Sequence, residues 1–266
     1  MNIMVCVKQV PDTTEIKINP INNTLIREGV PSIINPFDAY ALEAAARIKD
    51  THPETKIVVL SMGPKQAESV LRSCLAIAAD RAYLVSDSSF VGSDTLATSY
   101  IISHAISHVE KSEGKFDLIF CGEQAIDGDT GQVGPEVAEH LGYPQVTRSL
   151  EAKVSGNTAV IRKQLEEGIA LVSVHTPCLI AFTKAPWDVR QPTIKRKIAA
   201  NRAKINIITA AELTKLDLLA IGIEGSCTKV QTTFLPHPQK QCTMIPEESI
   251  HDLVCKLIHT LKKQPT

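Results

Sequence analysis

The residues best suited to chemistry lie in one stretch, 118–141, "LIFCGEQAIDGDTGQVGPEVAEHL". An apolar run ends in Cys121 and Gly122, and a loop holding Asp127, Asp129 and several glycines then opens into a helical pattern. Gly128, Gly131 and Gly134 have no Cβ, so such a loop can turn sharply and bring bare N–H groups against a ligand. N–H groups presented in this way at a helix N-terminus cradle phosphates. The plainer reading is that Asp129 or Thr130 caps the helix entered through Pro135, with the glycines serving turn geometry. Asp127 and Asp129 have the chemistry to hold Mg²⁺ beside phosphates, although caps and loop hydrogen bonds would occupy the same carboxylates.

Other constellations are missing. There is no GxGxxG after the first strand pattern, no GxxxxGK[ST], no GxSxG elbow and no HExxH, which disfavours an ordinary dinucleotide dehydrogenase and a P-loop NTPase. His104 and His108 stand four apart on a helical pattern but lack a visible third ligand, and a solvated face suits them. Cys6 reads as a small buried hydrophobe rather than a nucleophile. The pattern is that of a binder positioning chemistry that belongs to its ligand.

Those residues need a scaffold, and the chain supplies an α/β one. With 266 residues, 44% of them hydrophobic, it can bury a substantial core. A formal net charge of -1 gives no global reason to expect nucleic acid or a membrane surface. Seven cysteines without a CxxC pair argue against a disulfide framework, zinc ribbon or cysteine-ligated cluster and suit a reducing, cytoplasmic setting. "MNIMVCVKQVP" enters a strand with no signal-like segment, and no run approaches the length of a membrane span. The runs "NIMVCV", "KIVVLSMG", "RAYLVS" and "FDLIFCG" read as buried strands of a parallel sheet.

Four helices follow those strands. Asn35 suits an N-cap and Pro36 the first position of a helix whose Ala41, Leu42, Ala45 and Ile48 form an apolar face. The second follows Pro64 with Val70, Leu71, Cys74 and Ala78 spaced for burial, the third starts near Asp94, and the fourth follows Gly134. "EIKIN" and "TLIRE" read as an inserted hairpin that would lie over the ligand end of the sheet. After about residue 145 the parallel layering is expected to end in extended segments, and "FLPHPQKQCTMIP" to build no core element. Apolar Ile250, Leu253, Val254, Leu257, Ile258 and Leu261 mark a last amphipathic helix. In an open parallel sheet, ligands sit at the carboxyl ends of the strands. Three helix N-termini meeting there would favour an anion of several charges, each contributing about 0.3–1 kcal/mol.

In order and spacing, "VKQVPDT", "NPFDAYALEAA", "SMGPKQAE", "CGEQAIDGDTGQVGPEVAEHLG" and "PCLIAF" resemble the beta subunits of electron transfer flavoproteins, over the chain to about residue 210. The resemblance implies a mainly parallel α/β fold of the nucleotide-binding, Rossmann-like (adenine-nucleotide hydrolase-like) kind over 1–205, with an arm and helix over 206–266 docking on an alpha subunit. It implies a cofactor crevice of Cys6, Val7, Lys8, Thr13, Asn35, Pro36, Phe37, Asp38, Met62, Gly63, Asp94, Thr95, Thr98, Gly122, Gln124, Ala125, Asp127, Gly128, Asp129, Thr130, Gly131, Gln132, Val133 and Gly134. The nucleotide in such a crevice is AMP in some members and FAD in others. Three features resemble the FAD-holding, electron-bifurcating members: Thr13 where the AMP type has an aromatic ring, the hydroxyl-rich "SDTLATS", and the loop "DGDTGQVGP". In that group the flavin exchanges a hydride with NAD(H) and passes single electrons to ferredoxin and, through a second FAD, to a dehydrogenase.

Two alternatives remain open: a simple electron shuttle with AMP in this subunit, and a universal-stress-like nucleotide sensor on the same fold. The segment 184–195 matches a partner-docking loop whose leucine anchor is replaced here by "APWDVRQP". Trp187, with Arg190, reads either as an exposed anchor or as a tryptophan tucked into the core. The departure points to a flavin dehydrogenase acting on lactate or another 2-hydroxy acid, with the acyl-CoA type as the alternative.

Overall fold

The computed structural model describes residues 1–12, 31–229, 231 and 249–263. They divide into two compact units, one taking the described residues up to 231 and the other residues 249–263. Strand β1 (Asn2–Cys6) opens the first unit, and its alternate residues Ile3 and Val5 enter one core while Met4 enters another. A short antiparallel pair, β2 (Gln9–Pro11) and β3 (Ser32–Ile34), flanks the start of α1 (Pro36–Thr51). Pro36 occupies the first turn, and Ala41, Leu42, Ala45 and Ile48 are buried as the spacing predicts. Then come β4 (Lys56–Met62), α2 (Glu68–Ile77), β5 (Arg81–Val85), α3 (Thr95–Glu113), β6 (Leu118–Gly122) and α4 (Val133–Leu141). The α4 helix stops at Gly142, whose left-handed φ of 68° suits a residue without a Cβ. The expected hairpin, Thr13 and "FLPHPQKQCTMIP" lie outside the described residues.

The second half departs from the sequence expectation. Strands β7 (Gln145–Ser155), β8 (Thr158–Gln164) and β9 (Ile169–His175) do run antiparallel, but β10 (Cys178–Phe182) returns to the sheet parallel to both β6 and β7. After α5 (Ile194–Arg202), β11 (Asn206–Ile208) adds a further parallel strand on β5. The parallel layering therefore continues past residue 145. All five residues of "CLIAF" are buried, as befits a strand covered on both faces; reading it as one run with β9 hides the turn between them. The first unit closes with α6 (Gly222–Gly225), and the second holds α7 (Ile250–Lys263). The first unit thus runs beyond residue 205.

Among the described residues nine strands form one sheet in the order β11-β5-β4-β1-β6-β10-β7-β8-β9. Helices α1 and α2 cover one face, where Leu42, Leu71, Val59, Phe120 and Phe182 pack together. Helices α3 and α4 cover the other, with Ile101, Ile106, Val137, Leu60 and Ile119. The chain steps from β1 outward to β4 and β5, then crosses to β6 on the other side of β1. That reversal makes a topological switch point between the carboxyl ends of β1 and β6, where a doubly wound sheet opens a crevice. No helix of the described residues is long and apolar enough to cross a membrane.

Candidate functional site

At this switch point lies a cleft of about 660 Å³, within the range of small-molecule and cofactor sites. Its floor is made by the strand ends Cys6, Leu60, Met62 and Cys121, with Leu179 behind them. Its walls are Val7 and Lys8, the first turn of α1, Gly63 and Pro64, the 85–98 segment, and the loop from Gly122 to Gly134. The elements dictate this convergence, because each parallel strand delivers its following loop to the same edge of the sheet.

The first turn of α1 ties the cleft together. Asn35 donates from Nδ2 to the Gln124 carbonyl at 2.8 Å and accepts from the Ile126 N–H at 3.2 Å. Asp38 accepts from the N–H groups of Lys8 at 2.7 Å and Gly122 at 2.8 Å. Burial pushes the Asp38 carboxyl up to about 7, against the opposing pull of those two N–H donors. Burial, helped by the nearby Asp38 charge, likewise pushes the Cys6 thiol up to about 12, and the Cys121 thiol rises for the same reason. Both thiols are therefore neutral cleft lining, not nucleophiles.

The sharpest backbone turns of the cleft wall lie in the loop. Gly131 has φ 64° and Asp129 φ 51°, both left-handed, so the backbone doubles back before α4 begins. Gln132, at the N-cap, forms no side-chain cap. The first helical bond runs from Glu136 N–H to the Gln132 carbonyl, and among the described residues the N–H groups of Thr130 to Gly134 meet no acceptor. The residues that carry these donors line the cleft at the positive end of the α4 dipole. Neither Asp129 nor Thr130 caps α4, contrary to the plainer sequence reading; the acids serve loop contacts instead, Lys8 Nζ meeting Asp127 Oδ1 at 2.7 Å and Gln124 Nε2 meeting Asp129 Oδ1 at 3.0 Å.

The opposite wall is the start of α3. Asp94 is its N-cap, accepting from Ala97 N–H at 3.0 Å and from Thr228 N–H at 2.9 Å. Burial raises its carboxyl, but these and neighbouring N–H donors outweigh that and hold it below the usual range. The Thr95 hydroxyl lies 3.3 Å from Glu136 Oε1 and 3.4 Å from Gln132 Oε1, linking the two helix starts across the cleft.

An electron transfer flavoprotein domain model matches residues 22–213. The beta subunit of an electron transfer flavoprotein from Megasphaera elsdenii is 49% identical over 242 residues, 90% of this chain and 89% of the relative. The caffeyl-CoA reductase-Etf complex subunit CarD of Acetobacterium woodii is 42% identical over 264 residues, 99% of each chain. Protein FixA of Azorhizobium caulinodans is 38% identical over 269 residues, covering 100% of this chain and 95% of the relative. The chain belongs to the electron transfer flavoprotein beta subunits. The nucleotide-sensor alternative falls with that result, and the α/β, Rossmann-like fold agrees with it.

Of the crevice residues carried over from this family, the cleft gathers all except Thr13, which is not described, and Pro36, Phe37, Asp127 and Asp129. Pro36 and Phe37 shape the turn of α1 behind the lining, and the two acids face loop partners instead. The sequence reading missed the end of β5, where Val85, Ser86, Asp87 and Phe90 to Ser93 line the cleft. The rule that ligands meet strand carboxyl ends would have found them. It also missed Leu60, Ile102, Cys121, Val137 and Leu179, which look like ordinary core in sequence.

The docking segment differs more. Trp187 is half-buried against the core, with the Arg47 guanidinium 4.9 Å from its ring centre. Arg190 is committed to Glu43 at 2.8 Å and Asp50 at 2.7 Å, both on α1. Both side chains are thus engaged with α1 of the same chain, while Trp187 stays only half-buried and Arg190 about a third exposed. The exposed apolar residues of this region are Ile194 (79%) and Ile198 (51%), one turn apart on α5 beside Lys195 and Lys197.

Proposed function

We propose that this beta subunit holds FAD in the cleft and works with an alpha subunit in an electron-bifurcating complex that links NAD(H), ferredoxin and a partner flavin dehydrogenase. The carrying observation is the run of unpaired N–H groups from Thr130 to Gly134 at the start of α4. Several adjacent donors on one wall, with the Thr95 hydroxyl opposite, suit a diphosphate better than a single phosphate. The bound flavin would supply two-electron exchange with a nicotinamide and one-electron exchange with ferredoxin and a second flavin. The chain's own part is to orient it: backbone amides grip the diphosphate, and Cys6, Leu60 and Met62 give an apolar floor. The relative named as part of a caffeyl-CoA reductase-Etf complex supports work within such an assembly.

For the partner dehydrogenase we assign the exposed pair Ile194 and Ile198 of α5, an apolar anchor set among lysines. The substrate class favoured is lactate or a similar 2-hydroxy acid. Quantifying FAD and AMP released by acid from the separated subunits tests the cofactor, and AMP alone with the beta chain would overturn it in favour of a simple shuttle. NAD⁺ reduction by the assembled complex, assayed with lactate and then acyl-CoA, should require reduced ferredoxin. Indifference to ferredoxin would overturn bifurcation, and activity with acyl-CoA alone would overturn the partner.

A further inference from the structure

Asn35 and Asp38 hold the N-cap and third helical positions of α1, where residues of these types ordinarily cap their own helix. Asn35 makes no such bond; both side chains reach outward to Lys8, Gly122, Gln124 and Ile126. One helical turn thus grips the loops that end β1 and β6, on both sides of the switch point. The two side chains are almost sealed, at 1% and 5% exposed, so water cannot substitute for the partners they hold. The seating at Gly122 leaves no room for adjustment, since a Cβ there would stand 2.4 Å from Asp38 Oδ1.

We propose that the Asn35–Asp38 turn is the positioning device of the nucleotide loop, and that ionisation of Asp38 sets the loop in its binding shape. The proposal rests on the nucleotide reading of the cleft. As a carboxylate, Asp38 offers an acceptor oxygen to each of the two N–H groups; as a neutral acid it carries a hydroxyl, which weakens one of those bonds. Charged or titratable groups near it are Lys8, itself paired with Asp127, and the thiols of Cys6 on β1, Cys74 on α2 and Cys121 on β6. Burial raises all three thiols, so none ionises between pH 6 and 8. Asp38, raised to about 7 by burial, titrates within that window. In the nucleotide-free chain it is mostly protonated below pH 7 and mostly ionised above, so nucleotide affinity rises with pH.

The test uses the full chain purified with its alpha subunit, stripped of adenine nucleotide and titrated calorimetrically with AMP and with FAD at pH 6, 7 and 8. Wild-type affinity for the nucleotide that binds should rise roughly tenfold across that range, the scale of one hydrogen bond to a charged acceptor. Asp38→Asn should bind about tenfold more weakly at pH 8 and lose that slope. Any titration of the ligand's own phosphate is common to both proteins and cancels in the comparison. Asn35→Ala should weaken binding at every pH and, because the Asn35 side chain helps hold the Asp38 carboxyl down, move the rise to higher pH. An Asp38→Asn protein that matches wild type in affinity and slope overturns the proposal. Should that variant not fold, amide exchange in the wild type decides: protection at Lys8 and Gly122, corrected for intrinsic rates, should rise from pH 6 to 8, and constant protection overturns the clamp. A wild type that binds neither nucleotide sinks the nucleotide reading, while the exchange measurement still judges the clamp.

Discussion

Adding one methyl group at each loop glycine in turn separates what the backbone requires from what a ligand requires. At Gly122 a Cβ would stand 2.4 Å from Asp38 Oδ1, 2.6 Å from Phe37 Cβ and 2.8 Å from Asp38 N. All three neighbours belong to the first turn of α1, and two of them, Phe37 Cβ and Asp38 N, cannot yield without moving the helix. Overpacking of this kind costs about 1–3 kcal/mol, and any shift that relieves it stretches the Gly122 N–H bond to Asp38. We expect Gly122→Ala to lose about 3 kcal/mol or more, a large share of a domain's net stability. Gly134→Ala should lose less, because its nearest neighbour is the Cys121 Sγ at 2.7 Å, a side chain with some room to rotate. Gly131→Ala should lose about 1 kcal/mol from its left-handed φ of 64°, with nothing closer than 3.7 Å. Gly128→Ala meets nothing within 4 Å, and its stability should stay within about 0.5 kcal/mol of wild type. Urea denaturation followed by circular dichroism measures all four. A Gly122→Ala protein as stable as Gly128→Ala would refute the argument that α1 and the end of β6 are in fixed contact.

Arg190→Ala leaves the Glu43 carboxylate, 4% exposed, without its guanidinium. The loss should be about 2 kcal/mol, less than for a fully buried pair because Arg190 is itself 33% exposed, and a midpoint unchanged in urea would refute it. Alkylation of the native chain at pH 8 should label exposed Cys227 and Cys255 and spare Cys6, whose thiol lies near 12; peptide mapping that finds Cys6 modified as fast as Cys227 would show the cleft floor open.

The first half of the fold was legible because its signals are local. Strands covered on both faces are continuous apolar runs, and Asn35-Pro36 and Asp94 mark helix starts that the structure keeps. The β10 strand carries the same signal in "CLIAF", but its place between β6 and β7 is a long-range pairing that no local pattern encodes. The site divides in the same way. Glycines 128, 131 and 134 announce a loop made for backbone approach, whereas the grip of Asp38 on Lys8 and Gly122 depends on where three distant segments meet. Trp187 stayed open in sequence because a lone tryptophan between polar residues looks the same whether it faces solvent or packs beneath Arg47. Ile194 was passed over for the opposite reason: an isoleucine at a helix start reads as core until the helix is seen to turn it outward.

The charge of the cleft explains why its signature is glycine rather than lysine. Among the described residues its lining carries a single cation, Lys8, whose ammonium is already paired with Asp127, against the carboxylates of Asp38, Asp87, Asp94 and Glu123. All four of these acids are engaged within the protein itself: Asp38 holds the Lys8 and Gly122 N–H groups, Asp94 caps α3 and holds Thr228, Asp87 accepts from the N–H groups of Ser89 and Ala210, which keep its carboxyl below the usual range, and Glu123 pairs with Arg148 at 3.8 Å. An anionic ligand therefore finds little side-chain charge to attract it. What it finds is oriented backbone: unpaired amides from Thr130 to Gly134, backed by a helix whose first turn is open. Such donors are fixed before the ligand arrives and need no flexible side chain to be ordered around it. Their strength depends on geometry alone, so the burden of the site falls on whatever holds that geometry. In this chain that is the first turn of α1, which leaves the Asn35 cap of its own helix unmade in order to hold the loop.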